Sequence, residues 1–152
     1  MEIHAIPAVA TRPVRFAVLW PHRPDVASCT LPDDLAPHAL HLGAFLSTGQ
    51  LVGVCTLLDE APSHVPDAVP NGVRVCRLRA MATLPEVRGS GVGRALVERA
   101  CSEAAARGAA FLWFDARVAA FGFYERLGFA YCSPAFEIPP IGEHRVMGKG
   151  LA

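Results

Sequence analysis

Apolar and polar positions along the chain change period several times, and each change marks an element. Residues 39–46 and 51–58, ALHLGAFL and LVGVCTLL, are apolar and β-branched runs on either side of a Ser-Thr-Gly turn, which predicts a hairpin. Residues 73–83, VRVCRLRAMAT, alternate imperfectly: Val73, Val75 and Leu78 are followed by Ala80 or Met81, so the pattern predicts a strand with a bulge near Arg77. Over 92–107 the period lengthens to that of a helix. Val92, Leu96, Ala100 and Ala104 form one stripe, Glu103 and Arg107 an i,i+4 pair, and Gly108 the C-terminal cap. AAFLWFDA, 109–116, is apolar on both faces, the mark of a central buried strand. A short helix over 118–127, closed by Gly128, precedes a final strand pair within AFEIPPIGEHRVMGK.

Weaker patterns fill the rest. Residues 5–20 predict a short strand and one turn of helix, and PHRPDVASCTLPDD after them is broken by prolines. DEAPSHVPDAVPNG is a polar, proline-rich loop of about a dozen residues, a length at which loops commonly carry function. The order β, α, β, β, β, α, β, α, β, β predicts a mixed α/β fold with helices on both faces of the sheet, the strand-helix-strand crossover at 73–116 being parallel.

Composition narrows the class. A chain of 152 residues, 52% of them hydrophobic, suits a single domain over 1–152. Its 14 basic and 14 acidic residues cancel, which predicts no nucleic-acid or membrane partner and makes any anion site local. Five scattered cysteines without C-x-x-C pairing point to reduced thiols and a cytoplasmic protein. His38 and His41 have H-x-x-H spacing, but no second ligand pair accompanies them and a strand would turn them to opposite faces, so no metal site is expected. MEIHAIPAVA lacks the basic start and long apolar run of an export signal.

The local anion site is VRGSGVGRAL, 87–96. A strand that ends in a glycine-rich turn and feeds a helix presents unpaired N–H groups in one patch, and the helix dipole adds about half a positive charge there. Glycines at 89, 91 and 93 let a diphosphate approach the main chain, with Arg88 and Arg94 at the rim. The G-K-[ST] of a Walker loop is missing, since Gly93 is followed by Arg94 and Ala95, and so is the third glycine of a dinucleotide fingerprint.

Arg88-Gly89-Ser90-Gly91-Val92-Gly93, followed about thirty residues later by FYERLGF at 123–129, resembles the GNAT superfamily of acyl-CoA-dependent N-acetyltransferases. RLRAMATLPEVRGSGVGRAL, LWFDAR and FEIPPIGEHRVM extend the likeness toward the small-molecule branch that includes ElaA-like proteins. The resemblance covers about 73–150 well and the first 70 residues only through their strand pattern. It implies a mostly antiparallel central sheet with one parallel strand pair, and transfer of acetyl from acetyl-CoA to a primary amine of a small molecule or peptide. By position, Met81, Ala82 and Thr83 would offer main-chain groups to the pantetheine arm. Gly89, Ser90, Gly91, Val92, Gly93 and Arg94, with Arg88 beside them, would hold the pyrophosphate. Tyr124 would meet the thioester sulfur as general acid. Many members have Asn seven residues before that tyrosine; this chain has Arg117.

Chemistry asks for the same parts. An alkyl amine of pKa about 10.4 must lose a proton at a cost of roughly 4.6 kcal/mol at pH 7 before it attacks, so the acceptor side needs a dry pocket, a carboxylate or a histidine. A tyrosine near pKa 10 is a weaker acid than a thiol near 8.5, by about 2 kcal/mol, so Tyr124 can serve the sulfur by hydrogen bonding alone. Glu137 and His144, in the final hairpin where the resemblance places the acceptor, are the base candidates; Glu60 and His64 in the long loop stand behind them, and a water chain is the other route. None of the cysteines has a His and acid nearby in sequence, which favours direct attack in a ternary complex over an acyl-enzyme. The rival expectation is a non-catalytic acyl-CoA-binding regulatory module of the same fold. A homodimer is compatible with such a small sheet, and no residue demands one.

Overall fold

The computed structural model describes residues 1–151. Its elements run β1 (Glu2–Ile6), α1 (Ala8–Val18), β2 (Leu40–Phe45), β3 (Leu51–Leu58), β4 (Val75–Thr83), α2 (Val92–Ala106), β5 (Phe111–Arg117), α3 (Phe121–Arg126), β6 (Ala130–Tyr131), β7 (Phe136–Ile138) and β8 (Gly142–Gly150). The chain divides into two compact units, one of residues 1–58 and 78–102, the other of 59–77 and 103 onward, with β4 contributing to each.

In the first unit the strands follow the order β1, β2, β3, β4. The hairpin β2–β3 forms as its pattern predicts, with Leu40 opposite Leu57 and a register shift between Ala44 and Phe45. Successive strand residues face opposite sides, and β3 shows both sides covered. Val54 packs with Val14 of α1 and Ala82 in one cluster. Its neighbour Gly53 lies under α2 so closely that a β-carbon would come within 2.9 Å of Leu96 and 3.1 Å of Val92. A glycine at this position lets the helix settle onto the strand.

α1 is the first departure from the sequence pattern, an 11-residue helix where one turn was expected, and it contains Pro13. Proline inside a helix forfeits a backbone hydrogen bond and costs about 3 kcal/mol. Against that stand the burial of Val14 and a buried ion pair from Arg15 to Asp34, interactions with distant residues that local periodicity does not carry.

In the second unit the order is β4, β5, β8, β6, with β7 on the far part of β8. β4 and β5 are parallel over Val75↔Phe111, Cys76↔Leu112 and Arg77↔Trp113. The β1–β2, β2–β3, β5–β8, β6–β8 and β7–β8 pairs are antiparallel, as the mixed sheet required. Three strands follow α3 rather than a pair, the short β6 and β7 and the nine-residue β8, because β8 is long enough to pair with β5, β6 and β7 along its length. Trp113, Val146 and Ala68 form the core on one side of this sheet. The irregularity foreseen near Arg77 falls at Ala80, whose φ is 51°. Among the described residues no helix is long and apolar enough to cross a membrane.

Candidate active site

The glycine loop belongs to the first unit. β4 ends at Thr83, a single 3-10 turn spans Pro85–Val87, and α2 begins at Val92. Gly89 and Gly91 have φ of 79° and 90°, a left-handed backbone that side-chain-bearing residues enter at a cost of about 1–2 kcal/mol. Open space lies where a β-carbon at either would point. The Ser90 amide is held by the Val87 carbonyl at 3.2 Å, and the Ser90 hydroxyl donates to the same oxygen. The Gly91 carbonyl accepts the first helical bond, from Ala95 at 3.0 Å. The amides of Gly89, Gly91, Val92, Gly93 and Arg94 have no protein acceptor among the described residues. They open the N-terminal end of a 15-residue helix, where orphan donors and the dipole reinforce each other. Arg88 is exposed. Arg94 lies along the helix, its Nε 2.8 Å from Glu98, an exposed pair of little energetic weight. Met81, Ala82 and Thr83 form the end of β4, with Ala82 buried in the cluster of Val14 and Val54.

The second unit holds the other candidates on two faces. Tyr124 is buried on α3, its ring 4.1 Å from Phe114 and 5.9 Å from Phe129. Phe114 projects from the face of β5 that includes Leu112 and Ala116; Trp113, Asp115 and Arg117 project from the other. His144 pairs in register with Arg117 and therefore shares that second face. Its ring is buried against Phe136, and its Nδ1 lies 2.8 Å from the Gly142 carbonyl. Glu137 is exposed and sits opposite Glu143 on the β7–β8 pair. Tyr124 and His144 are thus on opposite sides of β5, and Glu137 is one position out of phase with His144.

A further cluster occupies the Trp113 face. Asp115 accepts through Oδ1 from His64 at 2.8 Å and through Oδ2 from Arg77 at 3.0 Å. Arg77 also reaches Glu60 at 3.3 Å, and its guanidinium lies over the Trp113 ring at 4.7 Å. The Trp113 indole donates to the Glu60 carbonyl at 2.7 Å, fixing the long loop to β5. Of these, sequence reasoning named Glu60 and His64 only as minor base candidates and gave Asp115, Arg77 and Trp113 no part in the site. The pairing of His64 with Asp115 joins positions 51 apart, so only the alternation of β5 could have hinted that Asp115 shares a face with Trp113.

Comparison with known proteins places this geometry. Residues 8–129 match the model of the family described as Acetyltransferase (GNAT) family. An uncharacterized N-acetyltransferase, YitI, from Bacillus subtilis (strain 168) is 31% identical over 151 residues, covering 99% of this chain and 97% of the relative. Among solved structures, ElaA of Escherichia coli superposes with a TM-score of 0.73 at 16% identity, over 97% of this chain and 98% of the other. An aminoglycoside 6'-N-acetyltransferase complexed with coenzyme A gives the same TM-score, 0.73, at 16% identity, over 100% and 98% of the two chains.

Proposed function

The chain belongs to the GNAT family of acetyltransferases, and from that premise we propose that it moves an acetyl group from acetyl-CoA to a primary amine of a small molecule or peptide, by direct attack in a ternary complex. The observation that carries this reading is the loop before α2. Its unpartnered amides, its open surface at Gly89 and Gly91, and the helix dipole behind them fit a diphosphate, which needs several N–H donors and close main-chain approach. Gly89, Gly91, Val92, Gly93 and Arg94 hold the pyrophosphate in this reading, Ser90 keeps the turn in shape with both its donors on the Val87 carbonyl instead of meeting the ligand, and Arg88 adds charge from solvent. Met81, Ala82 and Thr83 offer main-chain groups to the pantetheine arm.

Tyr124 serves the departing sulfur. A ring enclosed by Phe114, Phe123 and Phe129 sits in a setting of low polarity, where a hydrogen bond to a developing thiolate is worth more than in water. The terminal hairpin, with Glu137 and His144, belongs to the acceptor side. Arg117, where many relatives carry Asn, is exposed and begins a 3-10 turn without capping it through its side chain.

Thiol release from acetyl-CoA in the presence of a panel of primary amines tests the proposal, read beside the thermal shift produced by CoA alone. Turnover with at least one amine class and a CoA-dependent shift support it. A shift without turnover across the panel favours a non-catalytic acyl-CoA-binding module instead.

A further inference from the structure

We propose that His64, held by Asp115, is the base that takes the proton from the acceptor amine, an inference that rests on the acetyl-transfer reading. Three histidines separate by what their ring nitrogens do. His41 is buried with both nitrogens engaged, Nδ1 with Thr56 at 2.8 Å and Nε2 with the Asp34 carbonyl at 2.9 Å, the pattern of a satisfied interior residue. His144 is buried with Nδ1 bonded to a backbone carbonyl. His64 alone of the three is exposed, its side chain 38% accessible, and its Nε2 bonds to a carboxylate that is itself only 12% accessible.

That asymmetry defines a chemical role. A carboxylate oxygen accepts, so the 2.8 Å contact puts a proton on His64 Nε2, and in the neutral ring Nδ1 is then the lone pair. The ring is steadied by Trp113 at 5.8 Å and Phe136 at 5.5 Å. Asp115 is held in turn by Arg77, and the loop carrying His64 by the Trp113 indole. A base oriented by a largely covered acid, with its other ring nitrogen unbonded to protein, is the arrangement that activates a nucleophile. The other charged and titratable groups on this face include Glu60, Arg77, Arg117, His144 and Cys132, whose thiol is pushed up by burial.

The step balances without any further reactant. His64 Nδ1 takes one proton from the acceptor ammonium, and the imidazolium is stabilised by Asp115. The neutral amine nitrogen then bonds to the thioester carbonyl carbon, the carbon–sulfur bond breaks, the second proton shed by the nitrogen reaches the departing sulfur through Tyr124 or solvent, and His64 returns its own proton to solvent. Base and acid act on different atoms of the tetrahedral intermediate, so His64 on the Asp115 face and Tyr124 on the Phe114 face do not compete for one position. Asp115 touches neither reacting atom and is a positioning residue. Parallel strands take ligands at their carboxyl ends, and Asp115 follows Trp113 on that side of the β4–β5 pair.

The experiment compares wild type, H64A and D115N in the amine-dependent thiol-release assay across pH, with melting temperature and CoA binding measured in parallel. H64A is expected to lose about 100-fold or more in kcat/KM at neutral pH, to lose the acidic limb of the wild-type profile, and to recover part of its rate with added imidazole. Its deficit should shrink near pH 10, where the amine is already neutral. D115N is expected to show a smaller loss with a displaced limb. An active wild type whose H64A variant keeps its rate within about threefold and its profile unchanged overturns the base assignment alone. Absence of turnover in wild type across the panel, with CoA bound, overturns the acetyl-transfer reading and the base with it.

Discussion

Tyr124 and His144 stand on opposite faces of the β5–β8 strand pair, the tyrosine against Phe114 and the histidine in register with Arg117. Their contributions are therefore separable. Tyr124→Phe keeps the ring contacts and removes only the hydroxyl. It should lower kcat between about tenfold, the worth of one lost hydrogen bond, and about 100-fold, the low end of general-acid catalysis. The CoA-induced thermal shift should stay as in wild type; a proportionate loss of CoA affinity would assign Tyr124 to binding instead.

A side chain at position 91 tests the diphosphate loop. With φ at 90°, Gly91→Val imposes strain of about 1–2 kcal/mol on the turn that presents the amides. The KM for acetyl-CoA should rise about tenfold or more, since about 1.4 kcal/mol corresponds to one decade of affinity. The amine KM should change little. Titration of CoA by calorimetry gives the same answer without turnover.

The buried pair Arg15–Asp34 governs stability of the first unit. Two parallel bonds of 2.7 and 2.9 Å join them; Arg15 also donates to Thr56, whose neighbour His41 returns a bond to the Asp34 carbonyl. Asp34→Ala strands a guanidinium with no exposure, and urea denaturation should show a loss of about 3–5 kcal/mol. Replacing both partners by apolar residues of similar volume should recover most of it.

Acid should weaken the second unit through Asp59. Burial pushes its carboxyl up, but hydrogen bonds from Arg74, Arg107 and Cys76 outweigh that and hold it down at about 2, against 3.8 for an ordinary aspartate. A carboxylate more acidic in the folded state contributes stability that is complete above the unfolded value and is lost as pH falls through the folded one. Thermal melts should therefore show this contribution disappearing between about pH 4 and pH 2. Asp59→Asn should flatten that part of the curve.

Thiol chemistry should leave the interior untouched. Burial, and then the nearby Cys101, push the Cys55 thiol up to about 12; burial and the bond to Asp59 push Cys76 to about 11. Only the thiolate reacts, so a disulfide reagent at pH 8 should leave Cys55 and Cys76 unmodified in native protein and label them on unfolding.

Legibility in the sequence followed the range of the interactions. The hairpin 39–58, the helix from Val92 and the glycine loop are set by residues close in the chain, and their patterns placed them to within a few positions. α1 was underestimated because Pro13 argues locally against a helix that Arg15 secures through Asp34, 19 residues away. The irregular backbone of β4 lies at Ala80, a residue whose type does not announce a positive φ. The contact of His64 with Asp115 was out of local reach for the same reason as α1: Asp115 arrives from a distant strand.

The long loop is fastened at its two ends. Asp59 ties it to Arg74 and Arg107, and the Glu60 carbonyl ties it to Trp113. Exposed positions such as Ser63, Pro66, Asp67 and Asn71 hang between those anchors. Substitutions at those solvent-facing positions should therefore leave the fastened ends, and the imidazole's grip on Asp115, unchanged, so the loop's surface can vary in chemistry without loosening its seat on the sheet.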